Sequence, residues 1–295
     1  MSVIKNIGFI GIGNMGAPMA ANLVRAGYNV TAYDVADERS QHFAKTNNAR
    51  TTDSLAALGQ GADLIITMLP SGREVRHALL EAEDGALSRN LRAGSTVIDM
   101  SSADPVGTRR LGGELAAARI ELVDAPVSGG VPRAKDGTLA IMIGGSAGAV
   151  QAVKPVLSKM GGKLFEVGGL GCGHAMKALN NFLAGTSFAA ASEAVRVGRT
   201  FGLDPAVMID VINVSTGRSF PTDLVMKQHV LSGTFATGFA LGLLAKDVGI
   251  AADLASQVRA DAPIVRTISS LWAEARDAIG PEQDHSRAAE YWDRK

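Results

Sequence analysis

The sequence predicts an α/β protein: an N-terminal parallel-sheet domain over residues 1–168, then an all-helical domain over 169–295, joined by a long helix. Three observations predict it. Short apolar, often β-branched runs alternate with amphipathic stretches as far as about Phe165. A glycine-rich G-x-G-x-x-G follows the first of these runs. After Gly173 the strand signal stops, and apolar residues recur at helical spacing.

Taken in order, the strand candidates are NIGFIGI, NVTAY, DLIITML, STVIDM, IELVDA, LAIMIGG and KLFEVG, each set between helical segments. Strands that alternate with helices pair in parallel and are covered on both faces, which explains why they read as continuous apolar runs. In the second part the helical candidates are residues 175–202, 205–213, 241–259 and 263–279. No repeat of fixed period and no Pro/Ser-rich linker separates the parts, so residues 168–173 read as a turn feeding one long helix. A ligand cleft between the two parts is the expectation.

Composition removes several function classes. Of 295 residues, 46% are hydrophobic and 20% charged, which supports real cores and excludes a disordered chain. Lys+Arg 29 against Asp+Glu 29 leaves no net charge, so no global basic field exists to hold nucleic acid. Cys172 is the single cysteine, which forbids an intramolecular disulfide and a Cys-rich zinc site, and the five histidines show no ligand spacing. No signal peptide is visible, and the uncharged run 178–192 is too short and too polar for a membrane span. The expectation is a cytoplasmic, metal-free protein with no membrane partner.

The opening motif is Gly11-Ile12-Gly13-Asn14-Met15-Gly16. Gly11 permits a tight turn, Gly13 lets backbone approach a pyrophosphate, and Gly16 lets the following helix pack on the strand; the helix N-terminus adds N–H groups and positive potential. The second strand ends in Asp34, where a carboxylate bonds an adenosine ribose and repels a 2′-phosphate. The pattern therefore predicts a Rossmann-type domain that binds NAD in preference to NADP. A tight strand-to-helix turn with Asp34 as a helix cap is the alternative. Met68, Leu69 and Pro70, and then Ser101 and Ser102, follow the next two main strands at the carboxyl edge, where such sheets bind ligands, although ordinary strand-end loops read the same way.

Residues 124–130, Asp-Ala-Pro-Val-Ser-Gly-Gly, are neither helix nor strand in character. Amides around Ser128, Gly129 and Gly130 form either an anion-binding concavity suited to a carboxylate or a glycine-rich turn. Lys177 and Asn181 are i and i+4 at the start of the long helix, so they share a face, and Lys177 is the sole Lys or Arg between Lys163 and Arg196. A desolvated lysine there passes a proton to or from a substrate oxygen, with Asn181 fixing the geometry. The alternative is a snorkelling lysine with Asn180 and Asn181 facing solvent. Lys246 and Asp247 read either as ligand-reaching groups or as a solvated edge; Cys172 reads as a small turn residue and His174 as an exposed first-turn histidine.

Four blocks, at Gly11, Asp124, Gly171 and Phe239, together resemble in order and spacing the β-hydroxyacid dehydrogenase family, which includes 3-hydroxyisobutyrate dehydrogenase and tartronate semialdehyde reductase. The resemblance spans nearly the whole chain. It implies NAD-dependent hydride transfer to or from a short β-hydroxy acid, with Lys177 as catalytic lysine and Asn181 orienting the substrate. Ser128, Gly129 and Gly130 would hold the substrate carboxylate. Ser102 would stand beside nicotinamide and substrate, while Met68, Leu69, Pro70, Phe239 and Lys246 would contact the cofactor. A homodimer or homotetramer is also implied. The alternatives are an imine reductase or other carbonyl reductase on the same fold, and a non-catalytic NAD-binding module.

Overall fold

The computed structural model describes residues 4–83 and 85–294. Its strands are β1 (Asn6–Ile10), β2 (Asn29–Tyr33), β3 (Arg50–Thr51), β4 (Leu64–Thr67), β5 (Thr96–Asp99), β6 (Glu121–Asp124), β7 (Val127–Ser128), β8 (Leu139–Gly144) and β9 (Gly161–Gly168). They form one sheet in the order β3-β2-β1-β4-β5-β6-β8-β7, with β9 on β8. All pairs from β3 to β6 are parallel. This is the expected α/β domain, and its topology reverses at β1, the point where such sheets bind ligands.

The sheet is not parallel throughout. β8 runs antiparallel to β6, through Asp124 and Gly144, and to β7. The chain turns after β7 at Gly129 and Gly130, whose φ values of 137° and 67° are open to glycine at little cost, and β8 returns along it. Residues 124–130 therefore do contain a strand, Val127–Ser128, and Gly130 opens the short helix Gly130–Asp136. β3 and β7 have two residues each, too few to carry a period-2 signal.

Successive residues of the central strands serve opposite layers. Phe9, Ile66, Ile98 and Val123 belong to one buried cluster, with Met19 and Leu23 of the helix Gly16–Arg25. Ile10, Ile65, Val97 and Leu122 belong to the other, with Leu79, Leu111 and Leu115. β4 is buried along its whole length. The helix Pro105–Ala117 starts sharply because Asp104 accepts the N–H groups of Val106 and Gly107 and proline occupies its first position.

The chain divides into two compact units, Met1–Lys177 and Ala178–Lys295, and the division falls inside the 30-residue helix Cys172–Phe201. The second unit contains the helices Pro205–Asn213, Leu241–Gln257, Pro263–Ile279 and Ala288–Asp293, and a π-helical turn run Thr222–Leu231. Its core gathers Phe188, Val248, Leu241 and Trp272. Trp272 stands edge-on to Trp292 at 5.1 Å between ring centroids and lies 5.7 Å from Phe188. Among the described residues, no helix is long and apolar enough to cross a membrane.

Candidate active site

The glycine motif is built as its residue types require. Gly11 has φ 94°, and a Cβ there would lie 2.2 Å from the Met68 carbonyl oxygen. A Cβ on Gly16 would lie 1.8 Å from the Gly11 carbonyl oxygen, so only glycine lets the helix Gly16–Arg25 start this close to the strand. Gly13 has no atom within 4 Å of its Cβ position, which leaves its backbone open to approach. Ile12, Gly13, Asn14, Ala17 and Arg39 line a cavity of about 390 Å³ on this loop.

Asp34, 6% exposed, does not cap a helix with its side chain. Its Oδ2 accepts the Ile12 N–H at 2.8 Å and its Oδ1 the Ala36 N–H at 2.9 Å, while Arg39 Nη1 lies 3.9 Å from Oδ1. A carboxylate offers about four lone-pair sites, so two amides leave capacity for a sugar hydroxyl. Open backbone at Gly13, the adjoining cavity and a carboxylate at the end of β2 together fit a dinucleotide.

At the next strand ends, the Leu69 N–H donates to Ser101 Oγ at 2.9 Å, which joins the Met68, Leu69 and Pro70 loop to the end of β5. Ser102 beside it is half-buried, and so is Ser128 at the end of β7. Gly129 and Gly130 are exposed. Asp124, fully buried, accepts the N–H groups of Gly171 and His174, both at 2.8 Å. Gly171 and Gly173 bring the start of the long helix against the sheet, since a Cβ on Gly173 would lie 2.4 Å from the Met142 carbonyl oxygen and 2.8 Å from that of Asp124.

His174 overturns the expectation of an exposed first-turn histidine. It is 1% exposed, its Nδ1 is 2.8 Å from Thr108 Oγ1, and its ring faces Asp99 and Asp124. The signal for its partners was present in the sequence: the apolar runs STVIDM and IELVDA both reach an aspartate at their carboxyl end. Asp99 and Thr108 carry no distinguishing signal of their own, because one aspartate after a strand also suits a turn.

Lys177 is half-buried on the helix Cys172–Phe201, and Asn181 lies one turn further along it. Asn181 does not face solvent: it is 7% exposed, its Nδ2 donates to Asp247 Oδ2 at 2.6 Å, and its Oδ1 accepts from Asn180 at 3.2 Å. Nor is the Lys246 and Asp247 pair a solvated edge, since Asp247 is 3% exposed and Lys246 Nζ stands 3.3 Å from its Oδ1. Phe239 is half-buried, edge-on to His285 at 5.9 Å.

Two family models cover the chain. Residues 6–169 match the NAD binding domain of 6-phosphogluconate dehydrogenase, and residues 171–292 match the NAD-binding domain of NADP-dependent 3-hydroxyisobutyrate dehydrogenase. The chain belongs to the β-hydroxyacid dehydrogenase family. It is 38% identical to 3-hydroxyisobutyrate dehydrogenase of Pseudomonas aeruginosa over 92% of this chain and 93% of the relative. It is 35% identical to 2-(hydroxymethyl)glutarate dehydrogenase of Eubacterium barkeri over 97% and 94%. A solved 3-hydroxyisobutyrate dehydrogenase of Mycobacterium tuberculosis with L-serine superimposes with TM-score 0.87 at 30% identity, covering 98% of this chain and 99% of that one. As a member of this family, the protein is an NAD(P)-dependent hydroxyacid dehydrogenase.

Proposed function

We propose that this β-hydroxyacid dehydrogenase oxidises a short acid of the 3-hydroxyisobutyrate type to its semialdehyde, reversibly, with NAD in preference to NADP. When bound, the nicotinamide supplies the hydride chemistry at its C4. Lys177 takes the hydroxyl proton in oxidation and returns it in reduction, and Asn181 orients the substrate oxygen. Ser128, Gly129 and Gly130 bind the carboxylate, with Ser102 beside the reacting carbon. Gly11, Ile12, Gly13, Asn14, Met15 and Gly16 hold the pyrophosphate and Asp34 the adenosine ribose, while Met68, Leu69, Pro70, Phe239 and Lys246 line the remainder of the dinucleotide.

The observation that carries this reading is the locked amide of Asn181. Its bond to buried Asp247 fixes an amide one helical turn from a half-buried lysine, an arrangement that a surface lysine has no use for. Lys177→Ala tests it. Turnover should fall by about 10²–10⁴ with NAD affinity retained, and undiminished turnover sinks the assignment. The test is run with the acid that reduces NAD fastest among 3-hydroxyisobutyrate, glycerate, threonate, sulfolactate and 4-hydroxybutyrate. A non-catalytic module predicts NADH formation from none of them, and an imine reductase predicts turnover of cyclic imines instead.

Self-association, as a dimer or tetramer in the cytoplasm, belongs to the same proposal. Phe201, Val197, Val207 and Val211 of the second unit are large apolar side chains exposed by 85%, 61%, 59% and 56%, a concentration that supports burial against another copy. Light scattering coupled to size exclusion measures it, and a monomer overturns it.

A further inference from the structure

We propose that His174 is a positioning residue for Lys177: from a buried polar network it fixes the first turn of the lysine's helix against the strand ends that carry the cofactor-contacting loop. The inference rests on the reading of Lys177 as the group that moves the substrate proton.

The network starts from strand register. β5 and β6 run in parallel with Asp99 opposite Asp124, so the two carboxylates emerge side by side on one face of the sheet. They are 2% and 0% exposed. Two carboxylates buried in this way need donors. Asp99 Oδ1 accepts from Thr67 Oγ1 at 2.9 Å and from the Ser101 N–H at 3.0 Å, and Asp124 accepts the amides of Gly171 and His174. The His174 ring lies against both, its Nε2 3.7 Å from Asp99 Oδ2 and its Nδ1 3.9 Å from Asp124 Oδ2.

Thr108 Oγ1 lies between two partners, His174 Nδ1 at 2.8 Å and the Asp104 carbonyl at 3.0 Å. Its hydroxyl has one hydrogen; with that hydrogen on the Asp104 carbonyl, the hydroxyl accepts from His174 Nδ1–H, and with it on Nδ1, it donates to the ring. Nε2 is left facing Asp99 with no hydrogen-bond partner among the described residues. His174 thus ties together the helix Pro105–Ala117, the ends of β5 and β6, and its own helix. From Asp99 the path continues through Ser101 N–H, and Ser101 Oγ takes the Leu69 N–H of the loop that also holds Met68 and Pro70. In the other direction Lys177 stands three residues beyond His174, on the neighbouring turn of the same face.

Stability alone gives no reason for this choice. Replacing a buried ionic cluster by apolar residues of similar volume is often neutral or favourable. Proton and hydride transfer, by contrast, lose about 10²-fold for a misplacement of 1 Å. A rigid polar link from the cofactor-contacting loop to the helix of the acid–base lysine meets that requirement.

The test compares kcat, KM and NAD affinity in His174→Ala, His174→Asn, Thr108→Val and the Ala/Val double variant. His174→Asn keeps an N–H donor near the Nδ1 position. The expectation is a kcat lowered by about 10- to 100-fold in His174→Ala, with NAD affinity and acid KM within about twofold, and recovery of most of that loss in His174→Asn. The double variant should be no slower than His174→Ala, because both changes remove one shared interaction. Wild-type kcat in His174→Ala, or losses that multiply in the double variant, overturn the proposal. If His174→Ala does not fold, Thr108→Val decides: a lowered kcat upholds it and an unchanged kcat overturns it. Lys177→Ala separates the two readings. An inactive Lys177→Ala beside a fully active His174→Ala defeats the positioning role alone, whereas an active Lys177→Ala defeats both.

Discussion

Asn181 and Asp247, 66 residues apart in sequence, are joined by a 2.6 Å hydrogen bond in which both side chains are buried. The bond gives a concrete stability expectation. Asn181→Ala leaves Asp247 Oδ2 buried without that donor, at a cost of about 1–3 kcal/mol. Urea unfolding should show a lower midpoint at unchanged slope. A midpoint equal to that of the wild type would mean the bond contributes nothing.

In the proposed reading, cofactor choice turns on Asp34. Its carboxylate accepts two backbone amides and has Arg39 as its cationic neighbour, so Asp34→Ala removes the repulsion toward a 2′-phosphate while leaving the arginine in place. The ratio of kcat/KM for NAD over NADP should fall by about tenfold or more, equivalent to ~1.4 kcal/mol. A wild-type enzyme that prefers NADP would show that Asp34 does not meet the ribose.

Burial pushes the Asp124 carboxyl above its ordinary range, against the lowering pull of His174 and of the His174 and Gly171 amides. A carboxyl raised in the folded chain binds its proton more tightly there than in the unfolded chain. Stability therefore declines as pH rises from the ordinary carboxylate range through the raised folded value, and then levels off. Asp124→Asn does not titrate and lacks this component. The unfolding free energy of wild type minus variant should accordingly decrease with pH across that window, as read from denaturant melts at several pH values. A difference that increases with pH contradicts the raised value.

The strand and helix plan was legible because its signals are local. Phe9 and Ile10, or Ile65 and Ile66, alternate between two buried layers and so read as unbroken apolar runs, and the helices Pro205–Asn213 and Pro263–Ile279 begin at prolines and keep helical spacing to the ends expected of them. The glycine motif was equally readable, since each glycine answers a steric demand a few residues away. What the sequence concealed depends on distant pairing. The burial of His174 is decided by Asp99, Thr108 and Asp124, which only sheet register and the helix Pro105–Ala117 bring to it. Likewise the antiparallel return of β8 runs through positive φ at Gly129, Gly130 and Gly137 around the short helix Gly130–Asp136, which composition alone reads as any flexible turn.

Both tryptophans of the chain sit in the edge-on pair within the second unit, and the first unit has only Tyr28 and Tyr33 as aromatic phenols. Intrinsic emission excited at the indole band is consequently a private reporter of one unit. Loss of the sheet registers in such a signal only as far as it disturbs the second unit, and is followed directly by circular dichroism or by an indole placed there for the purpose.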